Sequence, residues 1–133
     1  MTYLLDTSVC IGLLRKSATQ TAARVLHAHP QDFTICSIVL FELLYGAVCS
    51  DRREAEIEKV AKFSEHFECL DFDSKCAAAA GNIRTKLEKK GQSIGPYDIL
   101  IAGPAIRHNL TLVTGNLAEF RRVEGLRVEN WEQ

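Results

Sequence analysis

Residues 33–50 read FTICSIVLFELLYGAVCS. Phe33-Thr34-Ile35-Cys36 is short, apolar and β-prone, and Ser37 is a residue type that opens helices, so the spacing predicts a strand running straight into the helix IVLFELLYGAV. That helix is apolar around nearly its whole circumference, which marks a buried element. A single charge interrupts the eighteen residues. Glu42 stands among Phe41, Leu43, Leu44 and Tyr45, with no Lys or Arg inside the stretch to neutralise it.

The same step from strand to helix recurs outward in both directions. TYLL is a short apolar run ending at Asp6-Thr7-Ser8, each of which can cap the helix that CIGLLR predicts. A second helix is expected over about 18–29, stopped by Pro30. Residues 51–66 place Ile57, Val60, Ala61 and Phe63 on one face of an amphipathic surface helix. FECLDF then reads as a strand, and Asp73 or Ser74 opens KCAAAAGNIRTKLEKKG, with Gly91 placed as its C-terminal cap. A further helix starts near Pro96, where the missing N–H of proline costs nothing. TLVT is a strand, Asn116 begins a helical turn, and LRVENW closes the chain as a last strand. Gly103-Pro104 falls inside the Pro96 helix, predicting a kink near Leu100 or an early end.

Strands alternating with helices at this pace predict a parallel α/β sheet with helices on both faces, and chemistry collects beyond the carboxyl ends of such strands. The 133 residues, 47% of them hydrophobic, fit one domain spanning 1–133. No run of about twenty apolar residues occurs and the first residues lack a basic signal region, so a cytoplasmic protein with no membrane span is expected. The five cysteines are odd in number and widely spaced, which suits free thiols in a reducing compartment, and no C-x-x-C or H-x-x-x-H spacing marks a zinc site. The net charge of −1 conceals an asymmetry: residues 1–74 carry 7 basic and 11 acidic side chains, residues 75–133 carry 9 and 6. This is not the basic footprint of a duplex-DNA binder. A local RNA-binding face using Arg84, Lys86, Lys89, Lys90, Arg107, Arg121 and Arg122 stands beside the simpler reading of solvated helix faces.

Two further segments share the peculiarity of 33–50. Residues 1–14 hold one charged side chain, Asp6; residues 93–106 hold one, Asp98; all three lone charges are acids. Uncompensated desolvation of a carboxylate costs several kcal/mol, so each must be hydrogen-bonded, protonated, paired or metal-bound. Were they to converge at ~5 Å, each pair would repel by roughly 3 kcal/mol at an effective dielectric near 20. A hard divalent ion, Mg²⁺ or Mn²⁺, removes that penalty and matches an all-oxygen donor set able to meet a phosphate. The reaction that fits is attack of a metal-activated water on a phosphodiester. Simpler roles compete: Asp6 as a helix cap, Asp98 as a first-turn acid favouring the helix dipole. Glu42, in mid-helix, has no such role. Asn116 and Glu119 have the N-x-x-E form of a capping box, and either can also reach a metal.

LLDTS at the start, SIVLFELLYGA in the first third, IGPYDILIAGPA near residue 100 and TLVTGNLAEFRRVEGLRVENW at the end occur in the order found in the VapC-type toxins of the PIN-domain ribonucleases, which the chain resembles across nearly its whole length. The resemblance implies a PIN-like three-layer α/β/α fold with a central parallel sheet of four to five strands. It implies a Mg²⁺-dependent endoribonuclease acting as a toxin, a VapB-type antitoxin partner, a homodimer, and a structured RNA substrate such as tRNA or rRNA. Carried over by residue, the metal-binding acids are Asp6, Glu42 and Asp98, with Asn116 and Glu119 in a fourth position and Thr7, Ser37 and Thr114 as hydroxyl neighbours. Asn116 stands where many relatives have Asp, which leaves the charge count at three unless Glu119 takes part. Phe41, Leu44 and Tyr45 are either core or antitoxin anchors. Two rivals remain: a degenerate fold that binds RNA or protein without cutting, and an aspartyl-nucleophile phosphohydrolase. The second wants D-x-D-x-T, and here Ser8 occupies the position two after Asp6.

Overall fold

All strand pairings in the central sheet are parallel, in the order β3-β2-β1-β4-β5. The computed structural model describes residues 1–132. Its strands are β1 (Tyr3–Leu5), β2 (Phe33–Cys36), β3 (Glu68–Leu70), β4 (Thr111–Val113) and β5 (Arg127–Glu129). The helices are α1 (Thr7–Leu14), α2 (Thr19–Leu26), α3 (Ser37–Val48), α4 (Arg53–Ser64), α5 (Ser74–Lys89), α6 (Pro96–Arg107) and α7 (Leu117–Phe120), with a short 3₁₀ turn at Pro30–Asp32.

The chain winds from β1 outward to β2 and β3, then returns to place β4 and β5 on the other side of β1. Right-handed crossovers therefore put α1 to α4 on one face and α5 to α7 on the other, the three-layer α/β/α arrangement of a PIN fold. Contacts agree: α1 packs on α2, α3 and α4, while α5 packs on α6. Because both faces are covered, the central strands do not alternate. Phe33 to Cys36 and Thr111 to Val113 are buried at every position, whereas the edge strands β3 and β5 are partly exposed. Leu4, Leu5, Ile35, Leu112 and Val113 form the fully buried centre.

The helix ends show how local chemistry sets the frame. Asp6 is the N-cap of α1, and Asp73 caps α5 by accepting from the Cys76 N–H. Gly91 ends α5 at φ +65°, as its position predicts. Ser37 does not cap α3. It is the first helical residue, and its Oγ accepts the Phe72 N–H at 3.0 Å, tying α3 to the segment after β3. The capping box at α7 does not form either; Asn116 makes no side-chain cap bond and turns its amide to Glu119. Ala18 gives α2 no side-chain cap, and the deficit is met from the other end of the chain: Glu132 accepts the Thr21 N–H and hydroxyl, each at 2.6 Å. The neighbouring Trp131 packs edge-on against Tyr3 and lies beneath the Arg24 guanidinium. All five cysteines are free thiols, and among the described residues no helix is long and apolar enough to cross a membrane.

Pro104 lies inside α6, yet the helix continues to Arg107, so it does not end early. The preceding glycine explains what the Gly-Pro pair is for. A Cβ at Gly103 would stand 2.9 Å from the Cys76 carbonyl oxygen and 3.1 Å from the Ala80 Cβ, so α6 approaches the backbone of α5 at a distance only glycine permits. Gly103→Ala must push the two helices apart and is expected to cost about 1–3 kcal/mol, as overpacking does. Urea denaturation of the two proteins checks this.

Candidate active site

The sheet reverses its winding direction at β1, and the crevice beyond the carboxyl ends of β1 and β4 is where such a fold offers a site. Asp6 is the residue after β1. Its N–H donates to the Val113 carbonyl, extending the ladder, so its backbone is held by the sheet while its side chain enters the crevice as the α1 cap. Although only 5% exposed, the carboxylate is well satisfied. Oδ1 accepts the Thr7 N–H at 2.8 Å; Oδ2 accepts the Thr114 hydroxyl at 2.6 Å and, more weakly, that of Ser8 at 3.4 Å. Thr114 is the residue after β4 and is fully buried; its Oγ1 also accepts the Asn116 N–H.

From Asp6 the network spreads across both faces of the sheet. Thr7, in the first turn of α1, donates its hydroxyl to Glu42 Oε1 at 2.7 Å, so α1 fixes the acid of α3. Asn116 donates its side-chain amide to Glu119 Oε2 at 3.0 Å. Asp98, in the first turn of α6, completes the set. Burial, a hydrogen bond to Glu119 and the charges of Asp6, Glu119 and Glu42 push its carboxyl up to about 7. Burial likewise raises Asp6, opposed by the Thr114 and Thr7 hydrogen bonds and assisted by Glu42. Acids from four helices or their caps therefore feel one another, and among the described residues none of the ion pairs, all at the surface, includes any of them.

Of the residues singled out in the sequence, Asp6, Thr7, Glu42, Asp98, Thr114, Asn116 and Glu119 share this network. Ser37 does not join it, its hydroxyl being committed to Phe72. Glu119 supplies the fourth carboxylate, and Asn116 positions it. Gly95 was not anticipated: a Cβ there would lie 3.0 Å from Asp98 Oδ2, so glycine leaves the space this carboxylate uses. The signal lay in the sequence as G-P-x-D, a glycine three residues before the acid, but the need for that space exists only in three dimensions.

The PIN domain family model matches residues 3–126. Ribonuclease VapC2 of Rickettsia felis is 41% identical over all of this chain and all of its own. The tRNA(fMet)-specific endonuclease VapC of Salmonella typhimurium is 39% identical, covering 97% of each. Among solved structures, the DNA-bound VapBC complex from Salmonella typhimurium superposes with a TM-score of 0.94 at 38% identity, covering 98% of each chain. VapBC-1 from nontypeable Haemophilus influenzae gives 0.90 at 29% identity over the full length of both. The chain belongs to the PIN-domain family. Within it, the VapC-type proteins are the group it matches end to end.

A metal is implied by that membership, and the donor set can be tested for it. Its chemistry fits a hard cation: only carboxylate and amide oxygens, with mutual repulsion that no lysine or arginine relieves. Its arrangement is not closed around an ion, since among the described residues no group of three or more His, Cys, Asp or Glu is gathered to hold one as it stands.

Two measurements follow from this network. Thr114→Val keeps the shape but removes the 2.6 Å bond to Asp6 and strands the Asn116 N–H. It is expected to cost about 1–3 kcal/mol and to raise the Asp6 pKa further, read by carboxyl ¹³C titration. Asp98 binds its proton more tightly folded than unfolded, so its contribution to stability is full below the ordinary carboxylate value of 3.8 and is lost as pH rises through about 7. In EDTA, Asp98→Asn should therefore lose less Tm than the parent between pH 4.5 and pH 8 (about the window set by the two pKa values).

Proposed function

We propose that this protein is a Mg²⁺-dependent endoribonuclease that cleaves structured RNA, tRNA above all, as the toxin partner of a VapB-type antitoxin. The observation that carries the chemistry is the gathering of Asp6, Glu42, Asp98 and Glu119 at one place with, among the described residues, no ion pair to a cation, a crowding that with burial pushes the Asp98 carboxyl up to about 7. The substrate class rests on the full-length relatives named as ribonucleases and as tRNA(fMet)-specific endonucleases.

Asp6, Glu42 and Asp98 would hold the ion, Asn116 and Glu119 completing its surroundings. When bound, Mg²⁺ polarises a phosphate oxygen and lowers the pKa of an attached water. The chain's own residues do the positioning. Thr114 and the Thr7 N–H fix both oxygens of Asp6; the Thr7 hydroxyl aims Glu42; Asn116 turns Glu119 toward Asp98. Each of these bonds is set before substrate arrives, so little reorganisation is needed in the transition state. No histidine takes part, and His27, His29 and His66 are exposed.

The partner surface has support of its own. Phe41 and Tyr45 are 47% and 65% exposed, Leu44 is half-buried, and with Val48 and Leu40 they line an apolar face of α3. Phe41, Leu44 and Tyr45 are thus not plain core, and an apolar stripe of this kind offers hydrophobic anchors to a protein partner. Two of the solved structures it resembles are VapBC complexes. A homodimer, likewise expected from the family, needs a face of the same character.

Purified protein should cut bulk bacterial tRNA with Mg²⁺, lose cleavage in EDTA and regain it with excess Mg²⁺. Asp6→Asn and Asp98→Asn should each reduce the rate at least about 100-fold, the scale on which one electrostatic group acts. Undiminished cleavage in EDTA, or by Asp98→Asn, would overturn the metal mechanism. Growth arrest on expression without a partner, if untouched by Asp6→Ala, would favour binding without cutting.

A further inference from the structure

A groove of about 580 Å³ runs between α1, α3 and α4 and has Glu42 in its lining. Its rim carries three cations, Arg15, Lys16 and Lys59, with Glu56 as the other acid. Lys59 is held by Glu56 at 3.3 Å, whereas among the described residues Arg15 and Lys16 enter no ion pair.

Lys16 has a second peculiarity. Three helices end in the same double hydrogen-bonded motif, whose following residue must adopt positive φ. After α5 that residue is Gly91 at φ +65°, and after α6 it is Asn109 at +56°. After α1 it is Lys16, at +58°. The bonds are equivalent: Ser17 N–H to the Gly12 carbonyl at 2.9 Å and Lys16 N–H to Leu13 at 3.2 Å, against Gln92 to Leu87 at 2.9 Å and Gly91 to Glu88 at 3.1 Å. Glycine takes this conformation without cost and asparagine tolerates it, but a long side chain there is strained. Helix-dipole compensation at the end of α1 is already supplied by Arg15 at the C-cap, in ordinary right-handed backbone, and does not call for a second cation at positive φ. Lys86 and Lys89 serve the last turn of α5 from ordinary helical positions. A strained residue held where glycine would relieve it points to a function of its side chain.

We propose that Lys16, with Arg15 beside it, binds a backbone phosphate of the RNA flanking the scissile bond, and that this strand lies in the groove leading from Glu42. The inference rests on the ribonuclease reading above. The site itself concentrates negative charge, so a polyanion reaches it only if cations close by hold the adjoining phosphates. This groove brings free cations and a site acid into one lining.

Lys16→Gly separates the role of the side chain from the cost of its backbone. It should raise Tm by about 2–5 °C, as relief of strain in a domain this size does. At the same time it should weaken binding of bulk bacterial tRNA, measured by fluorescence anisotropy in EDTA, by about five- to eightfold at 0.1 M salt. The slope of log K against log salt should fall by about 0.7–0.9, one phosphate contact. In Mg²⁺, KM rises by a similar factor while kcat holds. Lys16→Gln should bind as weakly as the glycine variant, Lys16→Arg should retain affinity, and Lys62→Ala, on the outer surface of α4, should change nothing. If Lys16→Gly binds tRNA with the parent's affinity and salt slope while the parent cleaves RNA, the phosphate contact is wrong and the ribonuclease reading stands. Loss of affinity for a VapB-type antitoxin with tRNA binding intact overturns it in favour of a protein in the groove. A parent protein that neither binds nor cuts RNA overturns both.

Discussion

The constraint on which the structure turns is the placement of Asp6: a carboxylate buried at the end of the central strand, with every oxygen satisfied by a hydroxyl or an N–H and none by a cation. Lysine or arginine in those places would neutralise the site. Threonine orients the acid and leaves its charge in place. Thr7 and Thr114 come from opposite sides of the switch in the sheet, so the two halves of the fold meet in the two oxygens of one side chain.

The rest of the architecture can be understood as holding other acids against that fixed point. Glu42 lies on a helix whose remaining residues are nearly all apolar, so α3 is located by packing, and Thr7 then selects the orientation of its single carboxylate. Asp98 depends on a longer chain of causes. The first turn of α6 is placed by the helix behind it, which Gly103 seats against α5, and Gly95 leaves room for the carboxylate itself. The high pKa of Asp98 is the consequence: like charges have been brought together before anything is present to neutralise them. Stability is given up locally at this point, and the packed centre of β1, β2 and β4 supports it.

Strain at Lys16 belongs to the same pattern. Two of three equivalent helix ends use residues suited to positive φ, and the exception lies on the groove that shares Glu42. Residues that violate a local preference concentrate where function asks for them.

Much of this was legible in the chain itself. Short apolar runs each followed by a capping residue and a helical period determine a parallel α/β sheet, because no other layering buries strands on both faces. The isolation of Asp6, Glu42 and Asp98 in otherwise uncharged segments determines that they are special, since burial of a charge is always an event. What the sequence left open was every choice that depends on distance between remote residues. Ser37 has the chemistry of a cap but bonds Phe72, and Asn116 and Glu119 have the spacing of a capping box but face each other and Asp98. Gly-Pro in mid-helix looked like a break and is a close contact with α5. A hydrogen-bonding side chain carries its preferences in its own type, but its partner is whichever group the folded backbone brings within 3 Å, and only the tertiary structure decides that.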